Sequence, residues 1–472
     1  MPSQLNSIPV VGYSGILTSY ITAFEFLQHG GDLVKEGFDK YPDQAFRVAN
    51  FSQWLVVLSG TQFVDDVRKA PTDVLSASVA LWEKMQFKYT LGLGLEHKYH
   101  VATIRTPLTR SMVDRFSDIR DETVETFKEC IPLTKDWTVV HAYGTLVHII
   151  CRVSNRFFVG LPLCIRSGYL DVIQKFILEV AKAGIIINSF PSFLRPLVGR
   201  YMTQVHKTVQ RTIEYLGPTL EDRLKKDREL GFDRPNRPND LMSWLLETAT
   251  HEHHFTVRDL ALRILTINFT AIHTTSMTLT NALYDLAIHP EYVKPMRDEI
   301  EAIISEDGWT KFAMQRMRKV DSFLKESQRM NTLEHVGMFR KVMKDYTLSD
   351  GTVLPAGTDI CFASRYINRD ERSFPDGQTF RGFRFTEMND GDVKYQMVSL
   401  SMDFIAFGHG RSACPGRFFA VNEIKAIVAH ILLEYDIQLE NGSMERPASL
   451  KHKTANKPNT RAKIMFRKRV VD

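Results

Sequence analysis

The stretch Phe404–Ala420, FIAFGHGRSACPGRFFA, decides how this chain is read. One cysteine, Cys414, stands among Gly408, Gly410 and Gly416 and directly before Pro415. An apolar run comes next, with Ile424, Ile427, Val428, Ile431 and Leu432 spaced to share one helical face. The pattern predicts a tight turn leading into a helix, with Pro415 at the first helical position, where its missing N–H costs nothing. Glycines in such a turn let backbone approach something flat and bulky, or take positive φ. A cysteine ahead of a helix feels the positive end of the helix dipole, which favours thiolate over thiol. Most free cysteines are plain buried residues. A thiolate presented on a turn, with room beside it, can instead ligate a metal. One cysteine cannot hold zinc or an iron–sulfur cluster, which need several protein ligands. Haem iron can be held by one, because the porphyrin supplies the others.

Composition sets the frame. Of 472 residues, 44% are hydrophobic and 24% charged, the balance of a folded protein with a large core. That excludes a disordered, collagen-like or coiled-coil chain. Sixty basic against 55 acidic residues leave +5, too small a bias for a nucleic-acid partner. The other cysteines are Cys130, Cys151, Cys164 and Cys361. No pair has C-x-x-C spacing and the total is odd, which predicts reduced thiols in a reducing compartment. The opening MPSQLNSIPVVGYSG lacks the charged and apolar regions of a signal peptide. The most apolar segment near it, GILTSYITAFEF (15–26), is interrupted by Ser19, Thr22 and Glu25 and predicts an amphipathic surface helix. As given, the chain reads as soluble or peripheral.

Helical periodicity dominates, over roughly 96–130, 138–158, 165–186, 197–230, 255–288, 289–305, 319–331 and 416–434. Strand-like alternation is confined to 46–60, to 346–363 with a hairpin turn at Asp350-Gly351, and to short pieces of 435–468. Residues 231–239 and 369–400 read as loops, and a loop as long as the second is expected to be functional or tied down. The expected fold is mainly α with small peripheral β-sheets, as a single domain over 1–472.

The pattern F-x-x-G-x-x-x-C-x-G is met by Phe407, Gly410, Cys414 and Gly416. It arises by chance in roughly one chain in a thousand of this length. FGHGRSACPGRFFA resembles the haem-binding cysteine loop of the cytochrome P450 family, and its CPGRFFA ending is especially like fungal members. The resemblance runs from IPVVG (8–12) to the last strands. It implies the fold of that family, with haem between the long central helix and the helix after the cysteine loop. It implies Cys414 as the axial thiolate of haem b, with Phe407, Gly408, Gly410 and Gly416 around it. Where the family has Arg or His two residues before the cysteine, on a haem propionate, this chain has Ser412, so Arg411 is the expected substitute.

A second motif lies in FLKESQRMN, where Glu326 and Arg329 fall at i and i+3 on one helix face. Taken alone this is an ordinary solvated pair of little worth. The family carries E-x-x-R at a similar distance before its cysteine, paired with an arginine of a P-x-R-F-like motif. FRGFRF (380–385) supplies Arg384, with the usual proline replaced. The resemblance implies a buried Glu326–Arg329–Arg384 network locking the 369–400 loop. It also implies propionate contacts from Arg340 and, near residue 100, from His100 and Arg105, although Val101 stands where the family has tryptophan.

The pattern over 256–288 is the longest helix, opened by the capping signal Thr256 and Asp259 and stopped by His289-Pro290. Into it falls FTAIHTTS (269–276), whose hydroxyls are expected to bond back to the helix and bend it. The resemblance aligns Thr270–Thr275 with the family's motif on this helix. Thr274 then matches the threonine that organises water where dioxygen binds, with Thr275 next to it. The acid of the motif is replaced by His273, as in a fungal branch with ent-kaurene-oxidase-like members, and a histidine can relay protons near neutral pH. Phe87, Phe269, Thr270, Val336 and Met338 are expected to line an apolar substrate pocket.

The resemblance implies a haem-thiolate monooxygenase that inserts one oxygen of O2 into an apolar terpenoid, steroid or fatty substrate. Electrons would come from NADPH through NADPH-cytochrome P450 reductase, with cytochrome b5 as a further donor. Arg411, Arg417 and Lys425 are candidates to face that acidic partner. Membrane association on the cytosolic face of the endoplasmic reticulum is implied for the native protein, with an N-terminal anchor absent or removed here. Two alternatives stay open. One is a haem-thiolate isomerase or dehydratase needing no O2, favoured by His273. The other is a non-enzymatic haem-binding protein, against which Thr274 speaks.

Overall fold

Thr256 starts the longest helix. Its Oγ1 accepts the Asp259 amide at 3.2 Å, and helix Val257–Ile288 then runs 32 residues, roughly 50 Å, to the stop at His289-Pro290. The polar residues inside it do not interrupt it. Thr266, Thr270, Thr274, Ser276, Thr278 and Thr280 each donate a hydroxyl to the carbonyl four residues back. Helices Ala142–Phe158 and Val205–Leu230 pack along it. A buried polar knot fixes the register: Tyr169 Oη donates to Asn155 Oδ1 at 2.9 Å, and Asn155 Nδ2 to Asn268 Oδ1 at 2.8 Å. Each buried amide is thereby answered, as the low-dielectric interior requires.

The structure is a computed structural model that describes residues 3–51, 53–92, 98–388 and 393–470. The chain forms two compact units. One comprises Met1–Leu81, Asp321–Cys414 and Arg446–Thr460; the other Trp82–Val320, Pro415–Glu445 and Arg461–Asp472. The first holds a six-stranded sheet in the order Val10–Val11, Ala45–Ala49, Trp54–Leu58, Asp359–Phe362, Gly337–Val342, Leu75–Ser76. Trp54–Leu58 runs parallel to Asp359–Phe362, with Leu55 opposite Asp359. Side chains alternate between two core clusters, Val56, Leu58, Ile360 and Phe362 on one face and Phe46, Val48, Val57 and Cys361 on the other. Burial on both faces explains the unbroken apolar run WLVVL. The second unit is helical, with one three-stranded sheet of Tyr435–Leu439, Lys463–Lys468 and Thr138–His141. A mainly helical fold with small sheets is what the sequence predicts.

Several boundaries differ from expectation. The pattern over 96–130 divides into Tyr99–Thr103, a wide helical turn Ile104–Leu108 and helix Phe116–Cys130. Pro107 sits in the wide turn, where its missing N–H prevents a regular α ladder. The start of the 138–158 pattern is a strand, because Thr138–His141 pairs with Lys463–Phe466. Tyr346–Thr347 pairs with Val353–Leu354 about the expected Asp350-Gly351 turn, where Gly351 has φ +87°. Helix Arg417–Glu434 begins after Pro415, with Gly416 at its N-cap, and is buried nearly all round from Phe419 to Leu432 rather than along one stripe. Lys425 is therefore buried and cannot face a partner protein. The 369–400 loop contains the short helix Arg384–Glu387, and residues 389–392 of it lie outside the described residues. No helix among the described residues is long and apolar enough to cross a membrane.

Candidate active site

Backbone geometry shapes the cysteine loop. The Cys414 amide donates to the Phe407 carbonyl at 2.8 Å, and the Ala413 amide to the Gly410 carbonyl at 3.1 Å, closing the turn that carries the sulfur. Gly408 and Gly410 have φ of +68° and +67°, which L side chains rarely adopt. At Gly410 space is also denied: an added Cβ would lie 2.9 Å from Arg68 Cγ and 3.1 Å from the Arg68 carbonyl oxygen. Cys414 is partly buried, whereas Cys151, Cys164 and Cys361 are fully buried. Burial pushes the thiols of Cys151 and Cys164 well up, so both are protonated core residues. Arg411 is exposed on the one-turn helix Gly410–Ser412.

In the same unit, Glu326, Arg329 and Arg384 come together. Arg329 Nε and Nη2 donate to the Glu326 carboxylate at 2.7 and 2.8 Å, and Arg384 Nε reaches both of its oxygens at 3.1 and 3.2 Å. The remaining guanidinium donors go to loop carbonyls, Arg329 Nη1 to Gly377 at 2.6 Å and Arg384 Nη2 to Thr379 at 2.9 Å. The loop is thus held by charge-assisted bonds rather than by secondary structure.

Arg340 is a buried cation of a different kind. It is 4% exposed, and its hydrogen bond runs from Nη1 to the neighbouring Phe339 carbonyl at 2.9 Å. No carboxylate among the described residues pairs with it, and burial lowers its pKa to about 10. A buried guanidinium in this condition is a ready anion site. Near it in the strand, Met338 takes φ +52° at a bulge, with its Cγ 3.7 Å from where a Gly408 Cβ would be. Met338 and Val336 are buried and belong to core clusters of this unit.

The other unit carries the remaining candidates. Thr270 and Thr274 are exposed one turn apart on helix Val257–Ile288; Thr274 Oγ1 donates to the Thr270 carbonyl at 2.8 Å, leaving its lone pairs open. Thr275 is 3% exposed, a 100° step round the helix from Thr274. The His273 Nδ1 is hydrogen-bonded to Tyr143 Oη, and the two rings stack at 6.0 Å. Phe87 and Phe269 meet edge to face at 5.8 Å, with Trp82 against Phe87 at 4.9 Å. His100 is buried. Burial first, and then the Arg263 charge, bring its pKa to about 4, so it is neutral. Arg263 is paired with Asp259 at 2.9 Å and lies over the Tyr99 ring. Arg105 is exposed in the wide turn. Tyr143 and Arg263 escape a reading of the sequence, because their partners lie 130 and 163 residues away and no local pattern announces them.

Among the described residues no group of three or more His, Cys, Asp or Glu side chains can hold a metal ion. A metal at Cys414 must therefore bring further ligands with it, as a porphyrin does. Comparison with known proteins agrees. The family model for Cytochrome P450 matches residues 20–466. The chain is 40% identical over 471 residues to cytochrome P450 monooxygenase 151 of Postia placenta, covering 98% of this chain and 94% of that protein. It is 34% identical over 451 residues to cytochrome P450 monooxygenase prx8 of Penicillium rubens, covering 93% and 82%.

Proposed function

Since the chain belongs to the cytochrome P450 family of monooxygenases, we propose that Cys414 is the axial thiolate of a b-type haem. The enzyme then inserts one oxygen atom of O2 into an apolar terpenoid, steroid or fatty substrate. NADPH would supply the electrons through a reductase, with cytochrome b5 as a further donor. When bound, haem supplies the activation of dioxygen that no side chain can perform. The residues present fit such a group. Arg340 is the observation that carries the reading: a buried guanidinium lacking a carboxylate partner, in the unit that holds the cysteine loop, suits a haem propionate. It answers the departure at Ser412 more directly than the exposed Arg411. The family motif matches Arg105 to the propionates as well, and His100, next to the tryptophan position held by Val101, is a further candidate. As a neutral imidazole, His100 would act there as a hydrogen-bond donor rather than as a charge.

The protein's own groups have separate tasks. Thr274, its hydroxyl proton committed to the Thr270 carbonyl, offers lone pairs to hold a water in place. His273, aligned with the family's acid, would relay protons with its Nδ1 hydrogen-bonded to Tyr143 Oη. Phe87 and Phe269 present an aromatic wall suited to an apolar substrate and hostile to bulk water. A site at the endoplasmic reticulum membrane is part of the same proposal, supported by exposed Ile16, Leu17, Ile21 and Phe24. The test is spectroscopic. The purified protein reduced under carbon monoxide is expected to show the red-shifted Soret band of thiolate-bound haem, and Cys414→Ser to lose it while remaining folded. A histidine-type band in the unmodified protein refutes the reading. Apolar compounds that blue-shift the ferric Soret band then identify the substrate class.

A further inference from the structure

His409 lies inside the cysteine loop at a position where the motif leaves the residue open. Its backbone is extended, φ −145° and ψ 162°, and its Nδ1 accepts the amide of Gly410 at 2.8 Å. That amide opens the turn Gly410–Ser412, and no backbone carbonyl among the described residues accepts it. Helix Gln62–Lys69 bears on the same point, since Arg68 touches the Gly410 backbone too closely for any side chain there. Arg68 bars the turn from moving toward helix Gln62–Lys69, and the imidazole satisfies the Gly410 amide. Two bonds downstream depend on this turn, Ala413 N–H to the Gly410 carbonyl and Cys414 N–H to the Phe407 carbonyl.

We propose that His409 is a positioning residue for Cys414, its unprotonated Nδ1 holding the turn that presents the sulfur, and that protonation of this imidazole releases the turn. The proposal rests on Cys414 being the haem ligand. An imidazolium has N–H at both nitrogens, so a protonated Nδ1 would confront the Gly410 N–H donor to donor. The charged groups facing His409 are Arg68, which opposes protonation, and Asp65, which favours it but is already engaged by Arg68 and Lys69. Burial and Arg68 together keep the imidazole neutral below its ordinary range.

The experiment is the ferrous carbon-monoxide spectrum of the haem-loaded protein between pH 5 and 8, for the unmodified chain, His409→Asn and His409→Ala. Asparagine can make the same bond without titrating, as Asn50 does here, its Oδ1 accepting the Phe51 amide at 2.9 Å. The unmodified protein is expected to pass from the thiolate-type band to the blue-shifted band of a lost thiolate as pH falls, with the midpoint below the ordinary histidine range. H409N should keep the thiolate-type band across that range. H409A should show a several-fold larger blue-shifted fraction already at pH 7.5, with no further step through the histidine range. Equal acid midpoints in the unmodified protein and H409N overturn the proposal, as does an H409A spectrum indistinguishable from the unmodified one at pH 7.5. Failure of the underlying ligand assignment looks different: no thiolate-type band at any pH in the unmodified protein.

Discussion

Two guanidiniums share one carboxylate at Glu326, which is fully buried together with both partners. Glu326→Gln keeps the shape and removes the charge, leaving Arg329 and Arg384 buried with carbonyls alone. Breaking such a pair costs about 3–5 kcal/mol. The expected result is a urea midpoint lowered by a large part of total stability, with early protease cleavage in 369–388; an unchanged midpoint would show that carbonyls suffice. This network is legible in the sequence because E-x-x-R and FRGFRF are each local and each matches a known pattern. Residues whose partners are distant are not. Nothing in the sequence ties His409 to Arg68, His273 to Tyr143 or His100 to Arg263.

At the scale of an element, helix Arg417–Glu434 shows what periodicity conveys and what it hides. Its apolar residues predict a helix, and a helix is present. Buried on nearly all sides, it also takes Glu423 into the interior, where Ser154 Oγ donates to it at 2.7 Å. Burial pushes the Glu423 carboxyl up to about 8. The folded state therefore keeps a proton that the unfolded chain loses near pH 4.3. Stability from this group is complete below that pH and is lost as pH rises through about 8, falling by roughly 1.4 kcal/mol per pH unit between. Glu423→Gln carries a neutral amide in place of the neutral acid. Its melting temperature should match the unmodified protein near pH 5 and exceed it near pH 8.5, removing a slope from the curve of melting temperature against pH. Parallel curves for the two proteins would mean that Glu423 is ionised when folded. The strands of 46–60 and 346–363 are likewise visible as elements, but their mutual pairing, Leu55 opposite Asp359, spans a sequence distance that alternation does not encode.

At the scale of the whole molecule, the sequence shows no linker, and the structure explains why: each compact unit is assembled from segments far apart in the chain, so no boundary collects in one place. Composition also cannot distinguish an apolar residue bound for the core from one left outside. Ile16 and Leu17 are 89% and 81% exposed, and Tyr20, Ile21 and Phe24 continue the same exposed apolar run into helix Ser19–Lys40. Scattered exposed leucines need no explanation, but a contiguous run does. Immersion of Ile16 and Leu17 in a lipid interface is worth up to about 1.5–3 kcal/mol each. The chain should therefore float with uncharged phosphatidylcholine vesicles in a density gradient, and added salt should not release it, because area rather than charge holds it. An Ile16→Asp, Leu17→Asp double variant should lose at least tenfold in vesicle affinity while its ferrous carbon-monoxide spectrum stays the same, since neither residue belongs to the cysteine loop. Flotation equal to the unmodified chain would leave the run without a membrane role. Release by salt would instead assign the attachment to the basic side chains of the surface.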